Sequence, residues 1–245
     1  MFPLFDTTPR RQIPLVTIAL IGTNTLVFAM QLSLPRPALE HFLRVFGVVP
    51  AWFVDPAWAR ELGYSASCCL PLVTSVFLHG GWLHLISNMW ALWIFGDNVE
   101  DRMGPVRFLL FYLACGVISG VVHIATNLDS TVPTIGASGA IAGVLGAYLV
   151  LFPLARVVVV VPLLFWPFFF ELPAMVYLGV WFLMQFFSGT LALAAPQAAG
   201  GIAWWAHIGG FAAGILSHRA FLIHRPAARR PYEDEYGVRG AWFDL

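Results

Sequence analysis

The chain has 245 residues, 59% hydrophobic and 11% charged, with 13 basic and 13 acidic side chains. A soluble domain carries about 25% charged residues, so this chain cannot cover a wetted surface and reads as a membrane protein. Its basic residues are all arginine, in short clusters between apolar runs, which excludes a nucleic-acid-binding face.

A membrane-crossing helix needs about 20 largely apolar residues. Residues 1–12 read as a short cytoplasmic segment. The apolar run 13–34 is longer than the roughly 7–15 residues of a secretory signal and is expected to be a retained first span. Residues 35–67 mix Trp52 and Trp58 with Asp55, Arg60 and Glu61, a composition suited to a large loop on the membrane surface. Five further spans are expected at 83–95 (extended upstream through 77–82), 107–127, 138–154, 172–193 and 201–223. The apolar stretch 157–170 is too short to cross and contains Pro162 and Pro167, so it is expected to be a proline-bent interfacial segment. Residues 224–245 read as a disordered cytoplasmic tail. The fold class expected is all-α: a polytopic bundle of six transmembrane helices spanning 13–223, with the surface loop between helices 1 and 2.

Arginine placement orients the bundle. Arg10, Arg11, Arg102, Arg107, Arg156, Arg225, Arg229 and Arg230 fall on one side of six spans, while linkers 128–137 and 194–200 carry no arginine. Both termini are therefore expected in the cytoplasm, and the expected location is a bacterial-type cell membrane, crossed several times. Cys68, Cys69 and Cys115 are too few and too unevenly spaced for a disulfide framework or a zinc site. No metal or cofactor is called for.

Strongly polar groups inside a span are costly, so each is a functional candidate. His84 and Asn88 stand in the second span, Ser138 in the fourth and His207 in the sixth. His84, Ser138 and His207 each precede an arginine (Arg102, Arg156 and Arg225) by 18 residues, which puts them at one level, about 27 Å above the cytoplasmic boundary. The fourth span, counted from Ser138, is too short for the hydrocarbon. A helix beginning at Ser138 below the outer surface requires water or protein around the loop that reaches it, so a hydrated cavity open to the outside is expected. Gly139, Gly143 and Gly146 line the fourth span, and Ala206, Gly210 and Gly214 repeat along the sixth. Such faces let two helices approach closely in lipid, which would bring Ser138 to His207.

A serine hydroxyl beside a neutral histidine is the minimal unit of nucleophilic acyl transfer. Ser138, between Gly136 and Gly139 at a helix start, has free backbone N–H groups nearby to bind an oxyanion. His84 and Asn88, four residues apart, share a helix face and can donate to the same oxygen. His79, His123 and Cys115 read as structural.

These residues resemble the motifs of the rhomboid intramembrane serine proteases: Gly136-Ala137-Ser138-Gly139 for GxSG, Ala206-His207-Ile208-Gly209-Gly210 for AHxGG, and His84 to Asn88 for HxxxN. GxSG alone is shared with many hydrolases; the three together are specific. The resemblance implies a Ser–His dyad without an acidic third member. Ser138 would be the nucleophile and His207 the general base, with His84, Asn88 and the Ser138 backbone N–H forming the oxyanion hole. It also implies transmembrane helices of other membrane proteins as substrates, within the lipid bilayer. Two features depart from the family: Ala142 stands where many relatives carry an aromatic residue that stacks on the histidine, and the surface loop has no Trp-Arg pair. The alternatives are an inactive rhomboid-like escort of membrane helices, disfavoured by the intact polar set, and a small transporter, disfavoured by the lack of internal repeats and paired intramembrane acids. The fifth span, with Trp181, Phe182, Phe186 and Phe187 and no small-residue seam, is the least tightly packed candidate for a substrate gate.

Overall fold

The computed structural model describes residues 1–64, 70–163, 166–194 and 203–223. Cys68, Cys69, the linker 195–200 and the tail 224–245 with Arg225 lie outside the described residues. In chain order the elements are β1 (Phe2–Asp6), α1 (Leu15–Ser33), the short helices α2 (Arg36–Phe46), α3 (Pro50–Val54), α4 (Pro56–Glu61) and α5 (Leu70–Thr74), a 3₁₀ turn (Ser75–Phe77), α6 (Trp82–Met103), α7 (Pro105–Thr126), α8 (Ser138–Leu151), β2 (Arg156–Leu163), β3 (Trp166–Pro173), α9 (Ala174–Ala194) and α10 (Trp204–Phe221).

The chain is mostly helical. Among the described residues, α1, α7 and most of α9 are long and apolar enough to cross a membrane. At 14 residues α8 is short, about 21 Å long. It is also the helix most enclosed by protein, with Gly139 to Tyr148 all buried. The second expected span differs from expectation at both ends. Upstream the chain does not continue as one helix: the segment Leu70–Phe77 meets α6 at 94°. Downstream α6 runs beyond residue 95 to Met103, carrying Glu100, Asp101 and Arg102. The extension is possible because Glu100 has a task. Buried at 4% exposure, it accepts hydrogen bonds from the Val16 and Thr17 backbone N–H groups at 2.9 and 2.8 Å and from the Thr17 hydroxyl at 2.8 Å. Pro14, at the N-cap of α1, provides no side-chain cap, so a carboxylate from another helix satisfies the amides left open at that terminus.

The all-α expectation is corrected by a three-stranded antiparallel sheet in the order β1-β2-β3. The stretch 157–170, expected as a proline-bent segment, forms most of a hairpin, with Arg156 opposite Pro173 and Pro162 opposite Pro167 at the other end. The run Val157 to Val161 and Phe168 to Phe170 are β-branched and aromatic residues that suit a pleated strand. The prolines sit close to the turn, where they interrupt little of the ladder. Residues 1–12, read from sequence as a plain segment, supply the third strand, with Phe2 opposite Val160. That strand docks on α6 through Trp90, whose indole N–H donates to the Pro3 carbonyl at 2.7 Å and whose ring stacks on Phe2.

The centre of the bundle is the contact of α8 with α10. A Cβ on Gly210 would lie 2.0 Å from the Gly139 carbonyl oxygen, and one on Gly214 would lie 1.9 Å from that of Gly143. A Cβ on Gly146 would meet the Phe211 carbonyl oxygen at 2.2 Å. The two backbones touch, so only glycine fits.

Two outcomes are expected. Gly214→Ala must push two backbones apart and should cost about 1–3 kcal/mol of stability, read as a lower unfolding temperature in lipid-like detergent. Gly22→Ala, with nothing within 4 Å of the added carbon, should leave that temperature unchanged. At the sheet, Asp6 accepts from the Tyr148 hydroxyl and from the Asn98 side-chain amide. Burial raises its carboxyl to about 6, against the lowering effect of hydrogen bonds from Tyr148 and Thr8. The folded form therefore holds a proton that the unfolded chain releases near pH 4, and β1 attachment weakens as pH rises from about 4 to about 6. Hydrogen exchange of the β1 amides should accelerate across that window, beyond the intrinsic rate, in the wild type and not in Asp6→Asn.

Candidate active site

Ser138 is the first residue of α8, and the loop that leads to it is held by protein at each step. Thr134 and Val48 exchange backbone hydrogen bonds of 2.7 and 3.0 Å. His123 Nε2 and the Thr134 hydroxyl lie 2.6 Å apart, and the Asn127 amide is 3.3 Å from His123 Nδ1. The Gly136 N–H donates to the Ser75 carbonyl at 2.9 Å. His123 thus acts as a latch on the loop. Gly136 has φ +128°, a conformation open to glycine and costly for other residues. A Cβ there would also lie 2.7 Å from both Cε1 and Nε2 of His84 and 3.8 Å from Ser138 Oγ. The glycine lets the imidazole edge of His84 come up beside the serine. At Gly139 a Cβ would strike the Ser119 side chain, 1.9 Å from its Oγ.

The glycine contact of α8 with α10 brings the other half of the site. His207, in the first turn of α10, has Nε2 at 2.7 Å from Ser138 Oγ. Its Nδ1 lies 2.7 Å from Oε1 of Gln185 on α9. An amide oxygen only accepts, so Nδ1 carries the ring hydrogen and Nε2 of the neutral ring accepts from the Ser138 hydroxyl. Trp181, one turn before Gln185, lies beside the imidazole with centroids 6.1 Å apart at 33°.

The third group comes from α6. His84 Nδ1 faces the Gly80 N–H at 3.4 Å, which directs its other nitrogen toward the serine. Asn88 is buried, and its side-chain N–H₂ has no partner, so a donor stands ready one turn from His84. Ahead of α6, Gln31 of α1 brackets the His79 backbone, donating to its carbonyl at 2.9 Å and accepting from its N–H at 3.1 Å. This pins the segment that enters α6.

Ser138, His207, His84, Asn88, Gly136 and Gly139 all line one cavity of about 660 Å³, together with Ser119, His123, Trp181 and Gln185. The six residues singled out from sequence are therefore neighbours. Gln185 and Trp181 were not chosen as site residues. The signal for Gln185 was available, a strongly polar side chain within an apolar span, the same signal that marks His84 and Asn88. Cys115 is a free, buried thiol behind Gly143.

Apolar helices packed around a polar cavity make this a multi-pass membrane protein. The Rhomboid domain family matches residues 66–224, more than half of the chain, and the chain belongs to the rhomboid family, whose members are in general serine intramembrane proteases. It is 28% identical over 252 residues to Rhomboid protein 1, mitochondrial, of Saccharomyces cerevisiae, an alignment covering 99% of this chain and 61% of that protein. Over 126 residues it is 35% identical to Presenilin-associated rhomboid-like protein A, mitochondrial, of Danio rerio, covering 51% of this chain and 30% of the relative. A stretch of 78 residues is 49% identical to Rhomboid protease GluP of Bacillus subtilis, covering 32% and 15%. The chain thus spans less than two thirds of the length of each of these relatives.

Proposed function

We infer that this protein is an intramembrane serine endopeptidase that cuts transmembrane segments of other membrane proteins. The observation that carries the reading is the 2.7 Å contact of Ser138 Oγ with His207 Nε2 inside a cavity that also holds an unpartnered Asn88 amide. Ser138 attacks the scissile carbonyl while Nε2 of His207 takes its proton. The Ser138 backbone N–H, His84 and Asn88 receive the negative charge that develops on the carbonyl oxygen. His207 then protonates the leaving amine, and a water activated by the same nitrogen hydrolyses the acyl-enzyme.

The same reading extends to the membrane setting. Six helices, α1, α6, α7, α8, α9 and α10, cross the bilayer as one unit over 13–223. Residues 35–67 lie on the outer surface, and both termini face the cytoplasm of a bacterial-type cell. The short α8 starts below the outer surface, which leaves the cavity above Ser138 open to water from the extracytoplasmic side. A substrate helix must unwind there to present a carbonyl, so segments containing glycine or proline are the expected targets.

The test is cleavage of a single-span model substrate by the purified protein in lipid. Wild type should cut it, and Ser138→Ala and His207→Ala should each lose at least about 1,000-fold in rate. Asn88→Ala and His84→Ala should each lose about 100- to 1,000-fold, mainly in kcat. A fluorophosphonate should label Ser138. Equal cutting by wild type and Ser138→Ala, or label on another serine, would overturn the assignment.

A further inference from the structure

A dyad without an acidic third member needs another group to orient His207. An imidazole on a helix can rotate about two bonds and exists in two neutral tautomers, of which only the one with hydrogen on Nδ1 leaves Nε2 free to accept from Ser138. Something must select both the rotamer and the tautomer. Among the described residues lining the cavity there is no carboxylate to do so; the titratable side chains that bear on His207 are His84 and His123.

The 2.7 Å contact of Nδ1 with Gln185 Oε1 is the one that meets this need. Gln185 is buried, at 7% exposure, and its helix is tied to α10 near the imidazole. The Trp205 indole N–H donates to the Gly189 carbonyl at 3.1 Å, and Phe182 stacks on Phe211 at 5.0 Å. Trp181 closes one side of the ring. We propose that Gln185 is the positioning residue of the site, its amide oxygen holding the His207 proton on Nδ1 and so aiming the Nε2 lone pair at Ser138. The assignment of a role in catalysis rests on the proteolytic reading; the tautomer itself does not. A neutral amide fixes direction and tautomer without adding a negative charge beside the imidazolium that forms in the reaction.

The test combines a spectroscopic and a kinetic measurement on the full chain in lipid nanodiscs. With ¹⁵N-histidine incorporated, the His207 ring signals are identified by their loss in His207→Ala. At mildly alkaline pH the wild type should show a protonated Nδ1 and a bare Nε2. Gln185→Leu should shift the population toward the opposite tautomer, which water favours, and Gln185→Glu, which keeps an acceptor oxygen, should restore it. On the model substrate Gln185→Leu should lower kcat about 10- to 100-fold with KM within about twofold, and Gln185→Glu should recover most of the rate. An unchanged tautomer in Gln185→Leu, or a Gln185→Glu protein as impaired as the leucine variant, would overturn the proposal. A wild type that cuts nothing while its tautomer responds to residue 185 sinks the protease reading and leaves the positioning role. Cleavage with a tautomer indifferent to residue 185 does the reverse.

Discussion

The structure depends on backbone touching backbone. Along the α8–α10 seam, Gly210 meets the Gly139 carbonyl and Gly214 meets that of Gly143 at distances that no side chain permits. In lipid there is little hydrophobic gain from bringing two helices together, since the tails are as apolar as leucine. Association comes from dispersion over close surfaces and from hydrogen bonds. Glycine makes such closeness available, and here it has a direct chemical result. Ser138 at the start of one helix and His207 in the first turn of the other come within hydrogen-bond distance because the helix axes are drawn together just below them.

Around this seam the bundle is fastened by polar contacts that each replace water where none is available. Glu100 caps α1 from α6, Gln31 grips the backbone ahead of α6, and His123 with the Val48–Thr134 bridge carries the loop into Ser138. An unpaired backbone group in hydrocarbon costs several kcal/mol, so a loop can descend to Ser138 only along such a chain of partners. The buried Asn88 N–H₂ has no protein partner, and Asn88 lines the cavity that holds Ser138.

The helices and most of the site were legible in the sequence because scarcity made them so. In a chain with 11% charged residues, His84, Asn88, Ser138 and His207 stand out individually, and glycine spacing joins two of the helices that carry them. Three features were missed. The hairpin of β2 and β3 was obscured because its prolines argue against helix and strand alike until Pro162 and Pro167 are seen facing each other. Its third strand comes from residues more than 150 positions away, a pairing that local pattern does not encode. Similarly, α6 runs past residue 95 because Glu100 is buried against α1, and a sequence reading of charge as the end of a span cannot anticipate its partner. Gln185 was missed for a different reason: its polarity marks it within an apolar span, but no motif spacing ties it to Ser138 or His207, and its contact with the imidazole comes from the way α9 lies against α10.

The orienting groups around His207 come from α9 and not from α8. Ala142, fully buried on α8, faces the point where Gly210 passes, and a Cβ on that glycine would be 3.4 Å from the alanine methyl. With alanine at this position α8 offers no aromatic support for His207. The support comes instead from α9, which presents Trp181 and Gln185 one turn apart, the first beside the imidazole ring and the second on its Nδ1.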